Sequence, residues 1–239
     1  MTLSRRLAAE GIGSLLLAAA VVGSGVMAEH LAGGNMAIAL LANTAATVTV
    51  LATLIALLAP VSGAHFNPAV SLVQGVRGSL PWGEVGSYAV VQVVGCCLGA
   101  MLAHAMFDLP WLQLSAHVRT GASQWLAEAV ATFGLVLVIL GHRRPQDVAW
   151  MVAGWIGAAY WFTASTSFAN PAITIARSLS DTFSGIRPVD VAGFIVAQLT
   201  GALIALLAAK WLFRRDPVAS TEPTSVGPSV ASRAIDKLF

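Results

Sequence analysis

The chain contains six apolar stretches, each long enough to cross a lipid bilayer as a helix. They cover residues 7–28, 36–58, 85–106, 124–141, 148–168 and 191–212. One helical crossing takes about 20 predominantly apolar residues, and Pro60 is expected to end the second stretch. Hydrophobic residues make up 57% of the chain and charged residues only 10%, which is more apolar surface than a soluble fold of this size needs to bury. The stretches therefore predict an all-α membrane protein.

Basic residues at the ends of the stretches predict the orientation of the chain. They are Arg5, Arg6, Arg77, Arg143, Arg144, Arg214 and Arg215. Six spans place all of them on one side, and positive charge marks the cytoplasmic side of a membrane protein. We therefore expect a multi-pass protein of the cell (inner) membrane with both termini in the cytoplasm. The same pattern explains the net charge of +2 without any nucleic-acid partner.

The first stretch has a second interpretation, because it follows two arginines and has small residues near Ala28, as a cleaved signal peptide does. Its length, the presence of Glu10 and the internal position of its counterpart in the second half favour a retained span.

An internal repeat divides the chain into two related halves, at about 7–106 and 124–212. The similar pairs are LAAEGIGSLLLAAAVVGSG (7–25) with WLAEAVATFGLVLVILG (125–141), HFNPAVSL (65–72) with FANPAITI (168–175), and YAVVQVVGCCLGA (88–100) with FIVAQLTGALIAL (194–206). Each half has three spans, an odd number, so the second half enters the membrane from the opposite side. This pattern predicts an inverted repeat within a channel domain at 1–216. The segment 217–239 is rich in Pro, Ser and Thr and lacks an apolar period, which predicts a disordered cytoplasmic tail.

Two short apolar segments predict half-helices that enter the membrane and turn back. They cover 68–76 and 171–176, too short to cross, and begin at the signatures Asn67-Pro68-Ala69 and Asn170-Pro171-Ala172. Each asparagine suits the N-cap of a helix and each proline its first position. An inverted repeat brings both helix N-termini to the midplane, where their dipoles and the asparagine amides favour a neutral polar solute and oppose a cation.

These motifs resemble those of the major intrinsic protein family, the aquaporins and aquaglyceroporins, over about 7–212. The match is most specific at SGAHFNPAV (62–70) and at the second signature. The resemblance implies six tilted helices, two half-helices that form a seventh pseudo-span, one pore per protomer and a homotetramer. The run NPAITIARSLSDTF (170–183) resembles a subgroup of bacterial aquaglyceroporins associated with arsenic resistance.

The family's outer selectivity filter, located by spacing from the two signatures, falls on Thr47, Ala158, Ser167 and Ile173. The family usually has arginine at the last position, and Ile173 departs from that pattern. Small residues at Thr47 and Ala158 predict a wide, arginine-less filter. An error in aligning the loops, which would misplace Thr47 and Ala158, is the alternative.

Arg177 lies four residues beyond Ile173, on the same helix face and about 6 Å further out. Two interpretations stay open: a displaced charge in the vestibule, or an anchor at the lipid headgroups.

Glu10 and Glu128 lie at matching places within spans, where a carboxylate is a candidate proton relay. In the resembling family the matching glutamates brace the loop backbone, and their symmetry favours this structural role here. His65 is interpreted as a hydrogen-bonding spacer, and not as a metal ligand or pH gate. Cys96 and Cys97 lie inside an apolar span and predict packing, with no metal site.

The expected function is a passive channel for small uncharged solutes, such as arsenous acid or methylated arsenicals, with glycerol and water as further candidates. A water-selective aquaporin or a glycerol facilitator is the alternative within the family. A coupled secondary transporter is the alternative from another class. No catalytic constellation is present, so neither an enzyme nor a cofactor is expected.

Overall fold

The computed structural model describes residues 1–142 and 144–213. The described residues form eight α-helices: α1 (Leu3–Leu31), α2 (Met36–Ser62), α3 (Pro68–Val76), α4 (Trp82–Met106), α5 (Ala122–Gly141), α6 (Val148–Phe162), α7 (Pro171–Arg177) and α8 (Val191–Leu212). Two short 3-10 turns, Pro145–Asp147 and Pro188–Asp190, precede α6 and α8. Three arginines of the charge pattern (Arg143, Arg214 and Arg215) and the predicted tail at 217–239 lie outside the described residues.

The predicted all-α fold is confirmed, since the described residues contain no strand. Five helices are long and apolar enough to cross a membrane: α1, α2, α4, α5 and α8, the last counted from its preceding 3-10 turn. The sixth, α6, is apolar but has only 15 residues. The predicted span 148–168 is thus too long, because the chain leaves the helix at Thr163 and continues in extended and left-handed conformations to the second signature. By contrast, α2 is longer than predicted and continues past Pro60 to Ser62.

The two half-helices α3 and α7 have nine and seven residues and begin at the signature prolines. Both asparagines cap their helices: the Oδ1 atom of Asn67 accepts a hydrogen bond from the Ala69 N–H at 2.9 Å, and that of Asn170 accepts one from the Ala172 N–H at 2.9 Å. Proline at the first position sacrifices no intrahelical donor. The local sequence therefore determines where both half-helices start.

The two halves repeat the same packing and interlock. In the first half α1 packs on α4, and in the second α5 packs on α8. Gly95 of α4 and its counterpart Gly201 of α8 permit this, because a Cβ atom at either would meet a carbonyl oxygen of the facing helix, that of Gly11 or Ala129. Each half-helix also packs on the last helix of the other half: α3 packs on α8, and α7 packs on α4. The two signatures therefore meet between the halves.

Candidate channel site

The two signatures are joined by a crossed pair of hydrogen bonds. The Asn67 Nδ2 atom donates to the Ala169 carbonyl at 2.7 Å, and the Asn170 Nδ2 atom donates to the Phe66 carbonyl at 2.8 Å. An amide nitrogen carries two hydrogens, and each of these bonds uses one. Both asparagines line a narrow cavity, so the second N–H of each can donate a hydrogen bond to a molecule in the cavity.

The cavity has a volume of about 110 Å³ and runs between the two halves past this junction. This volume suits a few small molecules, well below the about 300–1,000 Å³ of a drug-sized site. The long helices supply an aliphatic wall formed by Leu17, Val21, Leu51, Ile55, Leu135, Ile139, Val148, Val152 and Ile156. The polar lining comes chiefly from the two signature loops, residues 63–67 and 167–170.

Glu10 holds the backbone of the first loop. Its carboxylate is fully buried and accepts hydrogen bonds from the His65 N–H (3.0 Å), the Phe66 N–H (2.7 Å), the Ser62 hydroxyl (2.7 Å) and the Gln92 amide (2.8 Å). Loop N–H groups that lack water need such acceptors. The carboxylate therefore fixes the loop that presents the first signature.

Glu128 makes the matching contacts in the second loop. Fully buried as well, it accepts from the Phe168 N–H (2.8 Å), the Ala169 N–H (2.8 Å) and the Gln198 amide (2.6 Å). Gln198 also donates to the Thr174 hydroxyl at 2.8 Å, as Gln92 donates to that of Ser71 at 2.9 Å. The two loops thus share one design of carboxylate, glutamine and hydroxyl.

The loops also share backbone conformations that side chains rarely adopt. Ala64 and Phe66 have φ values of 50° and 48°, and the matching Ser167 and Ala169 have 50° and 49°. Left-handed conformations at residues other than glycine cost free energy and persist only where the surroundings fix them. The carboxylate bonds to the N–H groups of Phe66 and Ala169 supply that constraint on both sides.

His65 lies in the cavity lining with its ring against Tyr88, at 5.4 Å between ring centroids. Its Nδ1 atom is 3.1 Å from the Ser71 hydroxyl. No group of three or more metal-ligating side chains occurs in the described part of the chain. The contacts of His65 are therefore local hydrogen bonding and ring packing.

The structure brings together three of the four residues assigned to the outer filter: Thr47, Ser167 and Ile173 all line the cavity. Ala158 does not, and its assignment is corrected. It lies on the exposed face of α6, as do Trp150, Gly154 and Trp161.

Tyr160 occupies the wall in place of Ala158. The α6 residues that line the cavity recur every four positions: Val148, Val152, Ile156 and Tyr160. At 100° per residue, Ala158 points about 200° from both Ile156 and Tyr160. Tyr160 lies ten residues before Asn170, so a count of twelve residues back from Asn170 misses it. The spacing of four residues from Val148 through Val152 and Ile156 is the sequence pattern that predicts Tyr160 in the wall.

Arg177 also lines the cavity, which agrees with the first of its two interpretations, a displaced charge. The side chain is only 3% exposed, which excludes a headgroup anchor. Its Cζ atom lies 3.4 Å from the centroid of the Phe168 ring, and its Nε atom donates to the Ser184 carbonyl. A guanidinium over an aromatic face is a favourable cation–π arrangement.

A second arginine flanks the same ring from the connection between α4 and α5. The Arg119 Cζ atom lies 5.1 Å from the Phe168 centroid, and its side chain donates to the carbonyls of Gly185 (2.8 Å) and Ser165 (3.2 Å). Burial lowers the pKa of Arg119 below its ordinary value, but an arginine stays charged at neutral pH. Sequence reasoning missed this residue, which no motif marks.

Asp190 anchors the connection that carries Arg119, since it accepts from the Arg119 backbone N–H at 2.9 Å. It also forms an ion pair with Arg187 at 3.0 Å. Asp190 therefore holds the connection that carries Arg119 against the start of α8.

Three buried polar atoms in the cavity wall have no hydrogen-bond partner among the described residues: Thr47 Oγ1, Ser167 Oγ and Arg177 Nη1. An unpaired buried polar group costs about 1–3 kcal/mol. The three residues line the same cavity as Asn67 and Asn170.

Comparison with known proteins agrees with this architecture. The family model described as "Major intrinsic protein" matches residues 1–147. Aquaglyceroporin AqpS of Rhizobium meliloti is 53% identical over 225 residues, covering 92% of this chain and 96% of that protein. Probable aquaporin AqpM of Archaeoglobus fulgidus is 29% identical over 241 residues, covering 89% and 97%.

A solved structure shares the fold. The aquaglyceroporin from Plasmodium falciparum superposes with a TM-score of 0.63 at 17% identity, over 86% of this chain and 95% of that one. The crossed signatures, the inverted repeat and these matches lead to one conclusion. The chain belongs to the major intrinsic protein family, whose members are passive membrane channels and not enzymes.

Proposed function

We propose that this channel passes small uncharged solutes that carry hydroxyl groups: arsenous acid or methylated arsenicals, glycerol and water. One observation carries the proposal: Thr47, Ser167 and Arg177, each with a buried polar atom that lacks a partner, line the same cavity as the two signature asparagines and the aliphatic wall. A solute with hydroxyl groups on one side and little polarity on the other satisfies both surfaces. Undissociated arsenous acid and glycerol are solutes of this kind.

The route of such a solute follows from the order of the polar groups. At the outer end it meets the Arg177 guanidinium and the hydroxyls of Thr47 and Ser167, and at the junction it meets the amides of Asn67 and Asn170. These groups replace part of the hydration shell, as channel linings do. A cation is repelled by Arg177 and by the N-terminal ends of the half-helices.

The glutamates and His65 have supporting roles in this proposal. Glu10 and Glu128 brace the two loops, and His65 acts as a spacer between the first loop and Ser71. The hydrogen bonds of the carboxylates to loop N–H groups support the bracing role. A proton relay would instead require both carboxylates to exchange protons during transport.

The proposed setting is the inner membrane, with both termini in the cytoplasm and four protomers per assembly. The positive-inside pattern supports this orientation. An ion pair between Arg6 and Glu84 at 2.7 Å joins the start of α1 to the start of α4 on that side. The large apolar side chains exposed on the long helices suit lipid or neighbouring protomers.

Two observations favour a second candidate, a glycerol facilitator of narrower selectivity. Tyr160 adds an aromatic wall on α6, where the sequence alone predicts the small Ala158, and Arg177 adds a charge. Both reduce the room for bulky solutes such as methylated arsenicals. Glycerol and arsenous acid are of similar size, so they remain suited to the cavity.

The test is stopped-flow light scattering on proteoliposomes, with arsenic inside the vesicles counted in parallel. Water, glycerol and arsenous acid are compared with protein-free liposomes. Entry of glycerol and arsenic that stops at equal concentrations supports the proposal. Fast water flow alone identifies a water-selective channel, and uphill uptake driven by an ion gradient identifies a coupled transporter.

A further inference from the structure

The last turn of α4 carries His104, a fully buried residue that the repeat does not explain. Gln92 and its counterpart Gln198 are 106 positions apart, and the same offset takes His104 to Lys210. Lys210 is exposed on α8. The second half therefore has no counterpart of this buried histidine, so we expect its role to be confined to one end of the channel.

Both ring nitrogens of His104 are bonded. The Nδ1 atom is 2.9 Å from the Trp111 carbonyl, and the Nε2 atom is 2.9 Å from the Ser180 hydroxyl. A carbonyl can only accept, so Nδ1 carries the hydrogen of the neutral ring. It follows that Nε2 accepts and that Ser180 donates to it. For a neutral ring, the Trp111 carbonyl thus fixes the direction of both bonds.

A chain of buried hydroxyls continues from Ser180. Its oxygen lies 2.9 Å from the Thr182 hydroxyl, which lies 3.3 Å from the Ser184 hydroxyl. A hydroxyl has one hydrogen to donate, and Ser180 has given its own to His104. Thr182 therefore donates to Ser180, and Ser184 donates to Thr182. We call residues 178–187 the outer loop, and the three hydroxyls lie within it.

The outer loop surrounds Arg177. The Ser184 carbonyl accepts from the Arg177 Nε atom, and the Arg177 carbonyl accepts from the backbone N–H groups of Ser180 and Ile186, both at 3.3 Å. Ser180 and Ser184 thus have two roles. Their side chains belong to the hydroxyl chain that begins at His104, and their backbones bond to Arg177.

We propose that His104 is a positioning residue for the outer constriction: through the hydroxyls of the outer loop it fixes the Arg177 guanidinium in the cavity wall. It does not line the cavity, so it acts on the solute only through Arg177. The inference rests on the proposed function, in which Arg177 selects the solute.

The experiment compares reconstituted full-length His104→Leu, His104→Asn and His104→Gln. Leucine keeps the apolar volume and removes both bonds. Asparagine reproduces only the Nδ1 position and glutamine only the Nε2 position. We expect the ratio of erythritol to glycerol permeability to rise about fivefold for leucine and asparagine, the scale of one lost positioning bond, and to stay near wild type for glutamine.

Two further variants separate positioning from general loosening. Ser180→Ala breaks the hydroxyl chain without changing α4 and is expected to match His104→Leu. In an Arg177→Gln background, His104→Leu is expected to add nothing, because both changes act on one group. Lys210→Leu, at the pseudo-equivalent place, is the control that leaves the ratio unchanged. A proportional fall of both permeabilities, or a full additional effect in the Arg177→Gln background, would overturn the proposal.

Hydrogen exchange on the same preparations tests the inference whether or not glycerol passes. His104→Leu is expected to speed amide exchange in residues 178–187 and to leave residues 62–77 unchanged. Unchanged exchange in the outer loop contradicts the proposal. If the wild type passes no glycerol but exchange responds as expected, the solute assignment fails and the positioning role of His104 stands.

Discussion

The loops that carry the two signatures share a set of buried hydrogen bonds, which we call the frame, and differ at the ends of their half-helices. Residues 62–77 and 165–177 both use a buried glutamate, a glutamine from the third long helix and a hydroxyl from the half-helix. The first half-helix ends at Val76 and is followed by the exposed Arg77, whereas the second ends at the buried Arg177, stacked on Phe168. The comparison teaches that the symmetric part joins the two signatures and that the asymmetric part places Arg177 in the cavity wall.

The largest expected effect comes from breaking the shared frame. Glu10→Ala and Glu128→Ala each leave two loop N–H groups without an acceptor, so we expect a loss of about 2–6 kcal/mol in the free energy of unfolding, from about 1–3 kcal/mol per unpaired group. Thermal unfolding in detergent measures it. The matched Gln variants, which keep one acceptor oxygen, should lose less. A large loss for only one glutamate would show that the halves do not share the frame.

The next effect tests the shared helix contacts. Gly95→Ala and Gly201→Ala each drive a Cβ atom against a facing carbonyl, and overpacking of this kind costs about 1–3 kcal/mol. Gly86→Ala in α4 is the control, because its Cβ atom meets nothing within 4 Å. The unfolding midpoints of the three variants show whether the two contact glycines lose more stability than the control. Equal stability of Gly95→Ala and Gly86→Ala would contradict the close contact of α1 and α4.

The third prediction sharpens the asymmetry between the ends of the half-helices. Arg177→Gln removes the positive charge from the cavity, so the sodium leak of proteoliposomes should rise about tenfold, equivalent to about 1.4 kcal/mol of barrier. Arg77→Gln, at the exposed end of α3, should leave the leak unchanged. An equal leak in both variants would place the cation barrier at the midpoint alone.

The smallest effect distinguishes Tyr160 from Ala158. Tyr160→Ala should raise erythritol entry about threefold by widening the wall, a change of under about 1 kcal/mol in barrier. Ala158→Val, on the exposed face of α6, should not change it. The same stopped-flow assay measures both variants. If Ala158→Val reduces entry and Tyr160→Ala does not, the sequence-based filter is right and the lining described above is wrong.

Much of the fold follows from local sequence signals. The apolar stretches predict the long helices, and the Asn-Pro pairs predict where α3 and α7 begin. These features depend on residues close in sequence, so a single chain reveals them. The prediction fails at the end of α6, where residues after Thr163 leave the helix and two of their N–H groups bond to Glu128, about 40 positions away.

The outer end of the cavity was harder to predict, for two physical reasons. Counting residues across a loop assigns Ala158, and such a count takes no account of the helix face, which turns Ala158 away from Ile156 and Tyr160. The inward orientation of Arg177 depends on Phe168 and Ser184, which meet it only in the folded protein. Helical spacing from Ile156 would have identified Tyr160.

The crossed asparagine bonds have a consequence for biosynthesis. Asn67 bonds to the carbonyl of residue 169, which is 102 positions later in the chain. While a ribosome is still making the second half, Asn67 lacks the carbonyl to which it bonds, and the cavity lacks the lining that residues 135–177 supply. A chain interrupted midway therefore cannot form this junction.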